Sequence, residues 1–238
     1  MNRLLRYDFS RFWGSCLPVI ALVIAVAAGI VAMPVCPGYQ AVSAYAQAYL
    51  FLVPVACVLT VIFITQEFSY GILRNKVVMG MRRPFILLSW AAVMTSVCIF
   101  LVAVYSATVA IAHKVIGYAV ADNMSFETFL VNCCMTLQLM LAFVVITGLV
   151  CVLGNGYENI ITILFIFFAL AEIGVLTAAA ARHNGVLRRV LALIPTTHLG
   201  DSVIEIPQTA VMTLVGGAVL IAAASALTVV LFRRKNLQ

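Results

Sequence analysis

The 238-residue chain is 65% hydrophobic and only 9% charged, with a mean hydropathy of +1.16. Soluble domains carry roughly a quarter charged residues because their surface must stay hydrated, so this composition excludes a water-soluble globule. The net charge of +6 does not indicate nucleic-acid binding, since the few cations cluster at the ends of apolar runs, where orientation signals lie. Seven cysteines lie in or beside these runs and show neither C-x-x-C spacing nor a disulfide framework.

The apolar runs are long and unbroken. Each is close to the roughly 20 residues of a membrane-spanning helix, and about twice the length of a barrel strand. They predict an all-α, polytopic membrane protein in which residues 1–238 form a single transmembrane domain. Pro54 lies inside the second run and predicts a kink there. The six predicted spans are 17–35, 44–65, 85–112, 129–153, 160–181 and 209–232.

The N-terminal segment, residues 1–15, predicts an amphipathic helix that lies in the membrane interface. At 100° per residue its apolar and its polar side chains fall on opposite faces. The alternative is a frayed tail. The apolar face consists of Leu5, Phe9, Phe12 and Trp13, and the polar face of Arg3, Arg6 and Ser10.

The segment 66–84 begins QEFSYGILRNKVVMGMRR, separates the second and third apolar runs, and predicts a short charged helix in water. Glu67 stands at its entrance, where it is expected to pair with Arg74 or to stabilise the N-terminus of the next helix by its charge. The four cations of the segment are Arg74, Lys76, Arg82 and Arg83.

The 66–84 segment has the side chains of a docking surface for another protein. Its apolar residues can fill a groove in a partner, while Arg74 and Lys76 bind carboxylates at the rim. Gly71 and Gly80 allow a close approach or a bend. The alternative is that the cations only fix the topology and contact anionic lipid, which leaves the glycine spacing and Asn75 unexplained. The apolar residues concerned are Phe68, Ile72, Val77 and Met79.

Lysine and arginine counts predict the orientation. If both termini are cytoplasmic, ten cations lie inside, in the two termini and the 66–84 segment, and four lie outside. The excess of cations on the inner side then follows the positive-inside rule. The sequence therefore predicts a multi-pass protein of the plasma membrane with cytoplasmic termini and a cytoplasmic 66–84 segment.

Three polar residues inside the predicted spans are candidates for a transport pathway. Glu172 lies well inside the fifth span, where a carboxylate is expensive and usually faces a cavity or a partner. The alternative is a tilted span that brings Glu172 to the outer interface. Asn132 and Thr136 share one face of the fourth span, where hydrogen bonds between helices are the default explanation and substrate contact is the alternative.

No catalytic motif occurs in the chain. It lacks G-x-x-x-x-G-K-[ST], H-E-x-x-H and G-x-S-x-G. We therefore predict no catalytic residue, no metal site and no enzymatic activity. Any ATP-driven function would need hydrolysis by another polypeptide.

The stretch E-F-x-x-G-I-L-R-N-K from Glu67, followed by Gly80, Arg83 and the pair Leu88-Ser89, resembles the permease subunits of type-2 ABC transporters. In that family a similar stretch follows the second span and includes the cytoplasmic coupling helix that docks on the ATP-binding subunit. The resemblance is strongest over residues 66–90. An amphipathic N-terminal helix, six spans and a basic tail extend it in outline over the whole chain.

Three positions depart from the family pattern, and they weaken the placement in a subfamily. Ile72 replaces a frequent threonine, Arg82 a serine and Trp90 a lysine. The resemblance also implies an elbow helix at 1–15 and re-entrant helices outside the cell within 182–208. The residues that it assigns to coupling are Glu67, Phe68, Gly71, Arg74, Asn75, Lys76, Gly80 and Arg83.

The function implied by the resemblance is half of an exporter for a lipophilic or amphipathic substrate, such as a peptide, a drug or a lipid. A separate ABC ATP-binding subunit would bind ATP and Mg²⁺, so no cofactor is expected in this chain. A second copy, or a related permease, would form the other half of the pathway in the lipid bilayer.

Two alternatives remain. An ion-coupled secondary transporter usually shows repeats with broken helices, and no matching Gly/Pro break occurs in both halves of this chain. A non-transporting membrane anchor for a cytosolic complex would use the 66–84 segment equally well.

Overall fold

The computed structural model describes residues 2–32, 48–116, 126–154, 160, 162–164 and 207–234. These residues contain helices and no strand, which confirms the predicted all-α class. In chain order the helices are α1 (Asn2–Trp13), α2 (Leu17–Ala32), α3 (Ala48–Ser69), α4 (Ile72–Val78), α5 (Arg83–Ile116), α6 (Phe126–Leu153) and α7 (Pro207–Arg234).

Four helices in the described part of the chain are long and apolar enough to cross a membrane. They are α3, α5, α6 and α7. The helices α1 and α2 meet at a bend of 57°, and together they add a fifth span if the pair crosses the membrane as one broken helix. The chain is therefore a multi-pass membrane protein. The predicted span 160–181 and the segment 182–208 lie almost entirely outside the described residues, so the total of six spans stays a prediction.

The helices form one packed group around α3. This helix contacts α2, α5 and α6, while α7 packs mainly on α6, and α1 lies against α5. Pro54 lies within α3, as predicted. α5 has 34 residues and is longer than the predicted 85–112. At 1.5 Å per residue it spans about 51 Å, so it extends beyond a hydrocarbon core of about 30 Å.

Small residues let α2 approach α5 closely. Ala21, Ala25 and Ala28 are buried on one face of α2. A Cβ atom on Gly29 would lie 2.9 Å from the side chain of Thr108 on α5, closer than side chains normally approach. Helix interfaces rich in small residues are typical of membranes, where no hydrophobic effect drives helices together. The α2–α5 contact therefore has no space for a larger side chain at this position.

The outward faces of the long helices carry large apolar side chains. Val19 and Val23 of α2, Ile99 of α5 and Val219 of α7 are each more than half exposed. In water such extended apolar surface would favour association. In a bilayer the hydrocarbon chains solvate it, so these faces agree with the assignment of a membrane protein.

Candidate functional site: a buried charge cluster beneath α4

The helix α4 separates its residues onto two faces. Leu73 and Lys76 are buried against the rest of the chain, whereas Arg74, Asn75 and Val78 are exposed. This division follows from the helical repeat, because residues three or four apart share a face. One charged side chain of α4 therefore points into the protein and another points away from it.

Lys76 lies at the centre of a charge cluster that consists of Asp8, Arg11, Glu67, Lys76 and Ser89. The Lys76 ammonium donates to Asp8 Oδ1 at 2.7 Å and to the two Glu67 oxygens at 2.7 and 2.8 Å. The Lys76 side chain is 2% exposed, and both carboxylates are fully buried. An unpaired charge at such a depth would be very costly, so the three groups depend on one another.

Ser89 and Arg11 provide further donors to the carboxylates of the cluster. Ser89 Oγ on α5 donates to Asp8 Oδ2 at 2.7 Å. The Arg11 guanidinium donates to Glu67 Oε1 and to the carbonyl oxygen of Phe63, the latter at 3.3 Å. Arg11 also lies over the Phe63 ring, 4.2 Å from its centroid. With two cations and two anions the cluster has no formal charge.

The charge cluster connects four helices. Asp8 and Arg11 belong to α1, Glu67 to α3, Lys76 to α4 and Ser89 to α5. A displacement of α4 relative to α1 would break charged hydrogen bonds in a dry environment, where they are strong. The cluster therefore couples the position of α4 to that of α1 and α5, in addition to the covalent link between α3 and α4.

The exposed face of α4 and its flanks presents apolar side chains beside a cation. Tyr70, Val78 and Met79 are 72%, 79% and 67% exposed. They lie near the charged end of the helix group, next to Arg74 and Asn75. Apolar groups that are exposed at a polar end of a membrane protein are candidates for contact with another protein.

Two glycines border α4 and form its turns. Gly71 has φ +64° and Gly80 has φ +81°, both in the left-handed region that favours glycine. A Cβ atom on either would meet nothing within 4 Å. Of the two roles predicted for them, the structure therefore supports the bend, and no described residue approaches either glycine closely.

Arg83 begins α5 and reaches the end of another helix. Its Nη1 donates to the carbonyl oxygen of Phe232 on α7 at 3.1 Å. The Phe232 ring lies 5.7 Å from the Trp90 ring, between centroids. Arg83, which the resemblance assigns to coupling, thus also connects the start of α5 to the end of α7.

Two expected contacts of the 66–84 segment differ from those observed. Glu67 pairs with Lys76 and Arg11, whereas Arg74 is exposed and does not pair with it. Lys76 binds the carboxylates of its own chain, so Arg74 is left as the exposed cation of α4. The physical reason is helical phase, because α4 turns Lys76 inward and Arg74 outward.

The apolar residues of the segment also divide differently from the prediction. Phe68 and Val77 pack against the core of the chain and Ile72 is half-buried, while Met79 is exposed. Val78 was missed, although it follows Arg74 by four residues and so shares its face. A helical projection of α4 alone would have found it.

The face that α1 buries against the protein is not the apolar face that the sequence predicted to lie in the membrane interface. Leu4, Asp8 and Phe12 are buried at a spacing of four residues, whereas Leu5 is half-buried and Trp13 is 38% exposed. Asp8 was missed, since it was assigned to neither face of the predicted helix. Its position four residues from Leu4 and from Phe12 was the available signal.

Only some of the candidate pathway residues lie in the part of the chain that the structure describes. Thr136 is buried in α6, and Asn132 lies on the same helix four residues earlier, so the two share a face of the backbone. The side chain of Asn132 and the whole of Glu172 lie outside the described residues. Among the residues that the structure describes, no three His, Cys, Asp or Glu side chains form a set that could bind a metal ion.

The sequence was compared with protein-family models and with curated proteins. Neither comparison found a match. A functional interpretation therefore depends on the geometry of α4 and the charge cluster, together with the resemblance carried by residues 66–90.

Proposed function

We propose that this chain is the membrane-spanning subunit of an ATP-driven exporter, and that a separate ATP-binding subunit docks on α4 from the cytoplasm. The observation that carries the proposal is the two-sided character of α4. Its outer face offers apolar side chains and a cation, while its inner face is joined by the charge cluster to three other helices. A helix that only marked topology would need neither feature.

The outer face of α4 suits a groove with an apolar floor and an acidic rim. Val78 and Met79 would enter the groove, and Arg74 would bind a carboxylate beside it. Complementary charges of this kind mainly fix the register of docking and accelerate association. Because the chain has no phosphate-binding loop of its own, the partner would have to supply ATP binding.

The inner face of α4 would transmit the movement of the docked subunit. A displacement of α4 would move Lys76, and with it Asp8 on α1 and Ser89 on α5. In this proposal α1 is the elbow helix at the cytoplasmic interface, both termini are cytoplasmic, and a second copy or a related permease completes the pathway. The substrate class is lipophilic or amphipathic.

Photo-crosslinking tests the docking surface. A photoreactive amino acid is placed at Met79 in the full-length chain, expressed in its native host, and adducts are identified by mass spectrometry. The expected result is an adduct with a protein that contains a phosphate-binding loop. The matched control carries the same amino acid at Val219, an exposed position on α7, where this adduct should be absent.

A second experiment separates docking from transport. The double variant Arg74→Glu, Val78→Asp should lower the Met79 adduct by at least about 5-fold, since central contact residues each contribute more than about 1 kcal/mol. It should also abolish vanadate-sensitive, ATP-dependent efflux. If the double variant loses docking but keeps its efflux, the proposal is contradicted. If the unchanged protein docks a partner but shows no ATP-dependent transport, the anchor function is favoured.

A further inference from the structure

A second feature of the structure is a cavity beside the first third of α5. A cavity of about 250 Å³ opens between α3, α5, α6 and α7. Its lining is mostly apolar and includes Trp90 of α5. Its lining residues include Thr60, Pro84, Trp90, Met94, Gly148 and Thr228.

The indole nitrogen of Trp90 is buried and lacks an acceptor. Trp90 is 3% exposed, and its Nε1 has no hydrogen-bond partner among the described residues. The neighbouring rings of Phe68 and Phe232, with centroids 6.3 and 5.7 Å away, enclose it in aromatic surface. Buried indole N–H groups usually have a partner, so this donor indicates an acceptor that lies outside the described residues.

No hydroxyl group among the described residues that line the cavity accepts a hydrogen bond from Trp90 Nε1. The Thr60 hydroxyl donates to the carbonyl oxygen of Ala56 at 2.7 Å and lies 3.3 Å from the sulfur of Met94. Thr228 donates to the carbonyl oxygen of Ala224, and Ser225 carries the third hydroxyl of the lining. A water molecule needs two to four polar partners to be held in a cavity. A cavity with so few polar groups is therefore suited to a hydrocarbon chain that carries a single acceptor.

The position along α5 indicates what that acceptor is. Trp90 follows Arg83, the first residue of α5, by seven residues, which is about 10 Å along the helix axis. The headgroup and interfacial layer outside the hydrocarbon core is several Å thick on each side, and tryptophan is enriched at this boundary. Ester carbonyls of phospholipids lie at the same boundary. From Pro84 to Met94 the cavity follows α5 for about 15 Å, which leaves room for the first part of an acyl chain.

We propose that this cavity binds an acyl chain of a bilayer phospholipid and that Trp90 Nε1 donates a hydrogen bond to its ester carbonyl oxygen. The chain then lies beside Thr60, Met94 and Gly148, between four helices that would otherwise enclose a void. This site does not depend on docking at α4, so the exporter proposal and the lipid proposal can be tested separately.

The protein contains its own fluorescent probe for this site. Trp13 and Trp90 are its two tryptophans, so Trp13→Phe leaves Trp90 as the single reporter. The full-length variant in detergent is titrated with a phospholipid that is brominated on its acyl chain, because bromine quenches indole fluorescence on contact. The expected result is saturable quenching at a ratio near one lipid per chain.

Two control variants keep the result interpretable. Adding Gly148→Leu fills the cavity, since a Cβ atom at this position would meet only Ile64, at 3.9 Å. Saturable quenching should then disappear. The variant with Trp13→Phe, Trp90→Phe and Val219→Trp reports an exposed position on α7, and its quenching should rise without saturation. Saturation that persists in the filled variant would overturn the assignment of the cavity.

The hydrogen bond is tested separately with two unbrominated competitors, a diester phospholipid and its diether analogue, which lacks the carbonyl groups. In the Trp13→Phe protein the diester should displace the brominated lipid at about a 2- to 12-fold lower concentration, the range expected for one hydrogen bond. In native mass spectrometry Trp90→Phe should remove the preference for the diester. Equal competition by the two lipids would overturn the role of Trp90, and competition by a free fatty acid alone would overturn the phospholipid as occupant.

Discussion

Lys76 holds two buried carboxylates, so its replacement is the sharpest test of the charge cluster. Lys76→Met keeps the length of the side chain but removes the ammonium group that lies 2.7 Å from both Asp8 and Glu67. Arg11 remains as the single cation beside two anions. Removal of one partner from a buried ion pair typically costs about 3 to 5 kcal/mol, because the other charge stays buried without compensation. We expect a loss of free energy of unfolding in this range.

The second variant of this test restores the charge balance. Asp8→Asn combined with Lys76→Met leaves Glu67 and Arg11 as a neutral pair, and the introduced asparagine keeps a side-chain oxygen for Ser89. The loss of free energy of unfolding in the double variant should therefore be smaller than the sum of the two single losses by about 0.5 to 3 kcal/mol, the size of coupling between contacting residues.

Unfolding of the full-length protein in detergent, followed by tryptophan fluorescence, provides the four free energies of this cycle. Arg74→Met is the matched control, because Arg74 lies on the exposed face of the same helix and should change stability by less than about 0.5 kcal/mol. The reasoning is refuted if Lys76→Met is as stable as Arg74→Met, or if the losses of the two single variants are additive.

Two further predictions concern glycines. Gly80→Ala places a Cβ atom at φ +81° and should lower the free energy of unfolding by about 1 to 2 kcal/mol in the same assay. Gly80→Asn should cost less, because asparagine tolerates the left-handed region. Equal losses would show that backbone conformation is not the cause. Gly29→Leu should lower the unfolding temperature of the protein, because Thr108 occupies the space beside Gly29. A leucine at the exposed Ala27 of α2 should be tolerated. Similar effects at both positions would exclude close packing of α2 on α5.

The sequence predicted the helical class and the main spans because hydrophobicity along the chain is a local property. It also predicted a short charged helix within 66–84, where the structure has α4 at Ile72–Val78. The inward orientation of Lys76 was not predictable in the same way. Arg74 and Lys76 are similar in charge and neighbourhood, and only the phase of α4, which the turn at Gly71 determines, distinguishes them.

The charge cluster itself was beyond prediction from local patterns. Asp8 and Lys76 are 68 residues apart, and Asp8 and Ser89 are 81 residues apart. A single sequence contains no signal that joins such distant positions. The buried stripe of α1 was easier to predict, because Leu4, Asp8 and Phe12 repeat at the helical spacing.

The separation of Asp8 from Lys76 has a consequence for the synthesis of the protein. Chains are extended at about 5 to 20 residues per second, so Lys76 is made roughly 3 to 14 s after Asp8. During this interval the aspartate has no ammonium partner, and its helix cannot take its final place without burying a bare anion. We therefore expect α1 to stay in the aqueous boundary of the membrane until α4 has emerged from the ribosome, so that the first helix of the chain is among the later ones to dock.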